Sequence, residues 1–294
     1  MIINFINMPM NLGCNRLGVE KGGSAIRSYG LNNIFSEDRV VDSDDILCRS
    51  ISELAASDSR MKNIDEILKS DTILADKVHN VLKNDEFPLV FGGDHSLTWG
   101  SLSGISKYFG TDIGCIYLDA HGDFNSAETS PSGNVHGMHM YYLMGFGNKR
   151  YVDFYYPGQK INPKNVFFLG TRSLDNGEVI TAEKNSLNIH TSEEIHNIGV
   201  EKIFKQLSIE IAHLKHIHFS LDIDCIDPIY APGTGVPEPH GLTVDEVEYL
   251  VAKILSTGKI VSMDFVEFNP LLDFSNQTLN ACIKLMKCID NNIK

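Results

Sequence analysis

Ile113-Gly114-Cys115-Ile116-Tyr117-Leu118-Asp119-Ala120-His121-Gly122-Asp123 is the stretch that decides the fold. An apolar run ends in three donors spaced two residues apart, and on an extended strand end residues i and i+2 point the same way. Asp119, His121 and Asp123 can therefore aim at one point beyond the strand. The pattern returns where residues 217–221 lead into Asp222 and Asp224. A third apolar run, 88–91, leads into Gly92-Gly93-Asp94-His95-Ser96. Taken alone, each cluster has a plainer reading: a solvated turn, a strand-ending cap, or, for His95, a packed histidine. Asp94 fits an orienting role better than a ligand's. Together, four carboxylates and two imidazoles at one place would repel one another unless cations sat between them. The set suits hard or borderline divalent ions and is large enough for two.

Outward from that stretch, short apolar or β-branched runs recur at 3–6, 88–91, 113–118, 166–169, 216–221 and 259–265. Helical patterns separate many of them. Residues 71–84 carry Ile73, Leu74, Val78, Val81 and Leu82 at helical spacing. Thr243 and Glu246 form a capping box, and Val247, Leu250, Val251, Ile254 and Leu255 line one face before Gly258. Leu279, Cys282, Ile283, Met286 and Ile289 mark a last helix. Buried strands alternating with helices predict an α/β fold: three αβα layers, with a parallel β-sheet covered by helices on both faces. No repeat, low-complexity tract or linker divides the chain, so residues 1–294 read as one domain. In such sheets ligands bind at the carboxyl ends of the strands, and all three donor clusters fall at such ends. Residues 125–135 and 228–241, rich in Ser, Gly, Asn and Pro, read as loops over the site.

Charge and cysteines bound the function. A formal net charge of −13 argues against nucleic acid, which needs a basic stripe, and favours a small cationic substrate. No window approaches a membrane span, and Met1 to Ile6 reads as a first strand rather than a leader. The six cysteines are scattered without a Cys-x-x-Cys pair, as buried free thiols of a reducing cytoplasm would be. His136 follows a polar loop and is either a loop histidine or a proton shuttle titrating near neutrality. Glu267 ends another apolar strand, and the sheet-edge placement points it into the pocket. His190, His196, His213, His216, His218 and His240 read as structural.

With these residues in hand, the chain resembles the ureohydrolases, the arginase and agmatinase family. The motifs run in order from Pro9-Met10-Asn11-Leu12-Gly13 and residues 18–27 through Gly92-Gly93-Asp94-His95-Ser96, Asp119-Ala120-His121-Gly122-Asp123 and Ser220-Leu221-Asp222-Ile223-Asp224 to Glu267-Phe268-Asn269-Pro270. The loop from Asp123 to Gly137 and the segment Thr171 to Glu178 look most like bacterial-type arginase. Departures are Met138-His139, where Met-Pro or Gln-Pro is usual, Cys225, where Gly is usual, and residues 231–238, which read more like agmatinases.

The resemblance implies two Mn²⁺ per subunit, with Co²⁺ or Fe²⁺ as substitutes. It puts His95, Asp119, Asp123 and Asp224 on one ion and Asp119, His121, Asp123 and Asp222 on the other. It also implies arginine cleaved to ornithine and urea by a hydroxide bridging the ions. Glu267 would hold the guanidinium, Asp123 pass a proton to the leaving amine, and His136 shuttle protons. Asn125, Ser132 and Asn134 would take the α-carboxylate, and Asp175 and Glu178 the α-amino group. A homo-oligomer, trimer or hexamer, is implied as well. The alternatives are an agmatinase or another guanidino-acid hydrolase, told apart by a substrate panel. A one-zinc deacetylase-type hydrolase is distinguished by metal counting, and a non-enzymatic metal-binding protein by a urea assay.

Overall fold

The six apolar runs all fold as strands in a computed structural model that describes residues 1–36, 38–54 and 60–293. In chain order the strands are β1 (Ile3–Met8), β2 (Val40–Asp42), β3 (Phe87–Gly92), β4 (Gly114–Leu118), β5 (Val166–Thr171), β6 (Asn188–Thr191), β7 (Ile217–Asp222) and β8 (Ile260–Val266). Two of these, β2 and β6, carry no apolar run because they are the edges of the sheet and stay half exposed. The order across the sheet is β2-β1-β3-β8-β7-β4-β5-β6, and every neighbouring pair is parallel.

The helices are α1 (Gly22–Tyr29), α2 (Ile64–Lys83), α3 (Thr98–Phe109), α4 (His139–Leu143), α5 (Lys149–Val152), α6 (Asn176–Asn185), α7 (Ser192–Ile198), α8 (Val200–Glu210), α9 (Val244–Ser256) and α10 (Gln277–Asn292). Alternation along the strands divides the core in two. Ile3, Phe5, Leu89, Phe91, Ile116 and Leu118 pack with Ile26, Ile195, Ile203, Leu250 and Ile289 from α1 and α7 to α10. On the other face Ile6, Met8, Val90, Cys115 and Tyr117 pack with Leu74, Val78, Leu102 and Met140 from α2, α3 and α4. These are the three layers expected from the sequence. α9 begins as read, Thr243 Oγ1 accepting the Glu246 N–H while Glu246 accepts the Thr243 N–H at 2.8 Å. α2 begins at Ile64, a turn and more ahead of the predicted 71, because Ile64 and Ile67 extend its buried stripe through a charged first turn.

All six cysteines are free thiols, and all but half-buried Cys48 are buried. No helix among the described residues is long and apolar enough to cross a membrane. The consequence for function lies in the strand order. β3, β8, β7 and β4 are far apart in sequence yet form the middle of the sheet. His95, Glu267, the Asp222 pair and the Asp119 cluster follow these four strands in turn, so their carboxyl ends gather the predicted site.

Candidate metal centre and pocket

The i and i+2 spacing does at β4 and β7 what it promised. His95 Nδ1 lies 2.9 Å from Asp119 Oδ2, 3.1 Å from Asp222 Oδ2 and 3.3 Å from Asp123 Oδ2. His121 Nδ1 lies 3.0 Å from Asp224 Oδ2 and 3.5 Å from Asp119 Oδ1. Two donor groups result, His95-Asp119-Asp222 and Asp119-His121-Asp224, each with its ligand atoms within 4.8 Å of one another and Asp119 common to both. This grouping differs from the allocation that the resemblance implied: Asp222 stands with His95 and Asp224 with His121, and Asp123 sits on the His95 side rather than between the two. The register explains it, since Leu118 of β4 pairs with Leu221 of β7, placing Asp222 level with Asp119 and Asp224 beyond it.

Turns hold the donors in place. Asp222 accepts the Asp224 N–H at 2.8 Å, Asp119 the His121 N–H at 2.6 Å, and Asp224 the Ala120 N–H at 3.1 Å. Asp123 (φ 56°) and Glu267 (φ 64°) both adopt the left-handed backbone region, a conformation costly for residues with a side chain and concentrated at functional sites. Asp94 is no ligand. It caps the turn at His95, accepting the Ser96 and Gly13 N–H groups at 3.0 and 2.9 Å. Gly93 is required there, for a Cβ would fall 1.7 Å from the Met10 carbonyl oxygen.

Above the donors opens a pocket of about 260 Å³, small-molecule in scale. His121, Asp123, Asp222 and Asp224 line it, as do Asn125, Ser132, Asn134, Asp175 and Glu178. His136 and Glu267 line it too and are joined, His136 Nδ1 to Glu267 Oε1 at 2.9 Å, while the same Oε1 accepts the His95 N–H at 2.9 Å. His95 and Asp119 are buried (1% and 0% exposed) and reach the pocket only through the lining carboxylates. Both predicted loops contribute, Asn125 to Asn134 from one and Val236 from the other. Glu178 is also tied to the backbone: its two carboxylate oxygens accept the Phe124 and Asp175 N–H groups at 3.0 and 2.9 Å. It fastens the Asp123 turn to the start of α6, and Asp175 is left facing Asn125, whose Nδ2 donates to it at 2.9 Å.

The electrostatics are those of a crowded anionic site. Burial, then the charges of Asp224 and Asp119, push Asp222 well above the usual carboxylate range. Burial and Asp119 push Asp224 up to about 6. Burial opposes ionisation of Asp119 too, yet the His121 and His95 hydrogen bonds together hold it well below that range. His95 and His121 are buried, which disfavours their charge, but their carboxylate neighbours raise both well above 6.5. Crowding of this kind is relieved by protons, and relieved better by a divalent ion. One atom asks for such an ion: Asp119 Oδ2, buried, has His95 Nδ1 beside it at 2.9 Å but no well-aligned hydrogen bond among the described residues. His136 is shifted above the near-neutral range expected of it. Burial lowers it, but the bond to Glu267 wins and raises it to about 9.

Three groups escaped the sequence reading. Ser220 Oγ is 2.8 Å from His95 Nε2, and Tyr117 Oη donates to Asp123 Oδ2 at 2.6 Å. Each precedes its cluster by two residues, so the spacing rule extended one step back into the strand would have found them. His139, noted only as a departure, is fully buried with Nε2 3.1 Å from Tyr117 Oη.

The Arginase family model matches residues 2–289. The chain is similar to the arginase of Bacillus subtilis (strain 168), 38% identical over 98% of this chain and 97% of that one. It is also similar to the arginase of Bacillus caldovelox, 38% identical over 97% and 96% of the two chains. A crystal structure of the Bacillus subtilis arginase superposes with a TM-score of 0.91 at 37% identity, covering 98% of each chain.

Proposed function

The chain belongs to the arginase family and is a hydrolase acting on the guanidino group, and from that premise we propose that it cleaves L-arginine to L-ornithine and urea with two Mn²⁺ ions. One observation carries the reading: two His/Asp groups share Asp119 directly beneath a pocket that holds the His136–Glu267 pair. Arginases matched along nearly the whole chain support arginine over agmatine. The donors fit divalent ions, given a buried Asp119 Oδ2 without a well-aligned hydrogen bond and two neighbouring carboxylates that burial and like charge raise above their ordinary range. His95, Asp119, Asp123 and Asp222 would hold one ion, and His121, Asp119 and Asp224 the other. When bound, such ions make water a nucleophile at neutral pH, which a resonance-stabilised guanidinium requires.

The chain's own groups supply the rest. Glu267, held by His136 and the His95 N–H, offers its free Oε2 to the guanidinium. Asp123 passes a proton to the leaving amine. His136, whose side chain is 17% exposed, moves protons between the pocket and solvent. Asp175 attracts the α-ammonium, with Glu178 keeping it in place. Asn125, Ser132 and Asn134 present neutral groups to the α-carboxylate.

Continuity of one sheet supports residues 1–294 as a single unit. The same reading includes a cytoplasmic homo-oligomer, whose mass sedimentation would give. The deciding experiment assays the Mn²⁺-loaded protein for urea from arginine and from agmatine. Urea from arginine is expected; urea from agmatine alone moves the assignment to an agmatinase, and none from either refutes it.

A further inference from the structure

Tyr117 and His139 press on the donor set from the α2 and α3 side of the sheet, and neither has been given a role. His139 opens α4, where the resemblance leads one to expect proline. Its Nδ1 lies 2.8 Å from the His136 carbonyl oxygen. A carbonyl only accepts, so Nδ1 carries the proton and Nε2 of the neutral ring is an acceptor. The Tyr117 hydroxyl has one proton and three polar neighbours: Asp123 Oδ2 at 2.6 Å, His95 Nδ1 at 2.9 Å and His139 Nε2 at 3.1 Å. The phenol ring lies flat on the His95 imidazole, centroids 4.6 Å apart and planes 7° apart. A cation on His95 Nδ1 would take that nitrogen's one lone pair, and a cation that also draws on Asp123 would weaken the pull of Oδ2 on the hydroxyl. His139 Nε2 would then be the one neighbour of the hydroxyl among the described residues whose lone pair the cation leaves untouched.

We propose that Tyr117 and His139 are a matched positioning pair for the ligands His95 and Asp123, His139 Nε2 receiving the Tyr117 hydrogen bond when a divalent ion is bound. This rests on the divalent-ion reading above. A hydroxyl with no such acceptor competes with the ion for Asp123, and an acceptor with no hydroxyl stays unsatisfied, so each residue makes sense of the other.

The test titrates the metal-stripped full chain with Mn²⁺ alone by calorimetry, beside His139→Leu, Tyr117→Phe, the double variant and His139→Gln. Groups that orient metal ligands affect affinity roughly 10–100-fold, and His139→Leu should fall in that range. Adding Tyr117→Phe to it should recover most of the loss, because no hydroxyl remains to compete with the ion for Asp123. His139→Gln, whose amide oxygen can accept the same bond, should bind within about tenfold of the parent. Losses that multiply in the double variant, no rescue by Gln, or an unaffected His139→Leu overturn the pair. Melting curves of the metal-free variants reveal misfolding. Should His139→Leu not fold, the double variant and His139→Gln decide: tight binding by both supports the pair, and weak binding by either overturns it. A parent chain that takes up no Mn²⁺ overturns the divalent-ion reading and the pair with it, whereas uptake with multiplying losses overturns the pair alone.

Discussion

Glu267→Gln isolates the charge that His136 depends on. Glu267 Oε1 accepts both the His136 and the His95 contacts, each at 2.9 Å. A glutamine oxygen in the same place keeps both bonds and removes only the charge. In the parent, the Glu267 bond and charge overcome burial and lift His136 from 6.5 to about 9. At about 1.4 kcal/mol per pH unit, that rise corresponds to roughly 3 kcal/mol of folding stability. The sign follows from the direction: a histidine with a raised folded value stabilises fully below pH 6.5 and loses that contribution as pH climbs through about 9. Urea unfolding of the metal-free parent and variant from pH 6 to 10 should therefore show their stability difference shrinking by about 3 kcal/mol as pH rises. Proton NMR should move the His136 titration down in the variant. Stability curves that stay parallel across this range, or a His136 titration unmoved by the substitution, would refute the pairing as the source of the shift.

Other perturbations probe the fold and the far end of the substrate. Gly100→Ala puts a Cβ 2.6 Å from the Asp71 carbonyl oxygen where α3 meets α2; overpacking of this kind costs typically 1–3 kcal/mol, and an unchanged urea midpoint would contradict it. Chelating divalent ions should lower the melting temperature by about 5 °C relative to protein at a hundredfold Mn²⁺ excess over Kd, and a melt indifferent to Mn²⁺ would count against the metal centre. Asn134→Asp sets an anion against the substrate carboxylate and should raise KM for arginine about tenfold or more, the scale of one charged hydrogen bond. Agmatine has no carboxylate, so an equal rise for both substrates would remove Asn134 from that role.

The sequence announced the sheet and its site through one rule, donors at i and i+2 after an apolar run, and β4 and β7 obey it. It did not announce which carboxylate joins which histidine. That depends on the β4–β7 register, Leu118 against Leu221, which no local pattern records. The edge strands β2 and β6 were silent for the opposite reason: half-exposed residues need no apolar run. His136 was found but its titration was misjudged, because the shift comes from Glu267, 131 positions away. Glu178 was found at the pocket, but its carboxylate is consumed by the N–H groups of Phe124 and Asp175.

The balance of charge in the pocket then limits what can enter it. Two dications would offset Asp119, Asp123, Asp222 and Asp224, and protonated His136 offsets Glu267. Glu178 answers to backbone donors, and burial lifts it to about 8 in any case. Asp175 lines the pocket and accepts the Asn125 amide at 2.9 Å. A ligand that ends in an ammonium satisfies it, which arginine and agmatine both do. On the proposed reading the carboxylate that separates them would meet Ser132 and Asn134, and a cation stands behind that end: Lys62 Nζ donates to Asn134 Oδ1 at 3.2 Å. A lysine behind neutral donors favours an anion at that end and does nothing for agmatine. On the proposed reading, a preference for arginine would come from Asn134 with Lys62 behind it, and the cleavage from the donors at the strand ends.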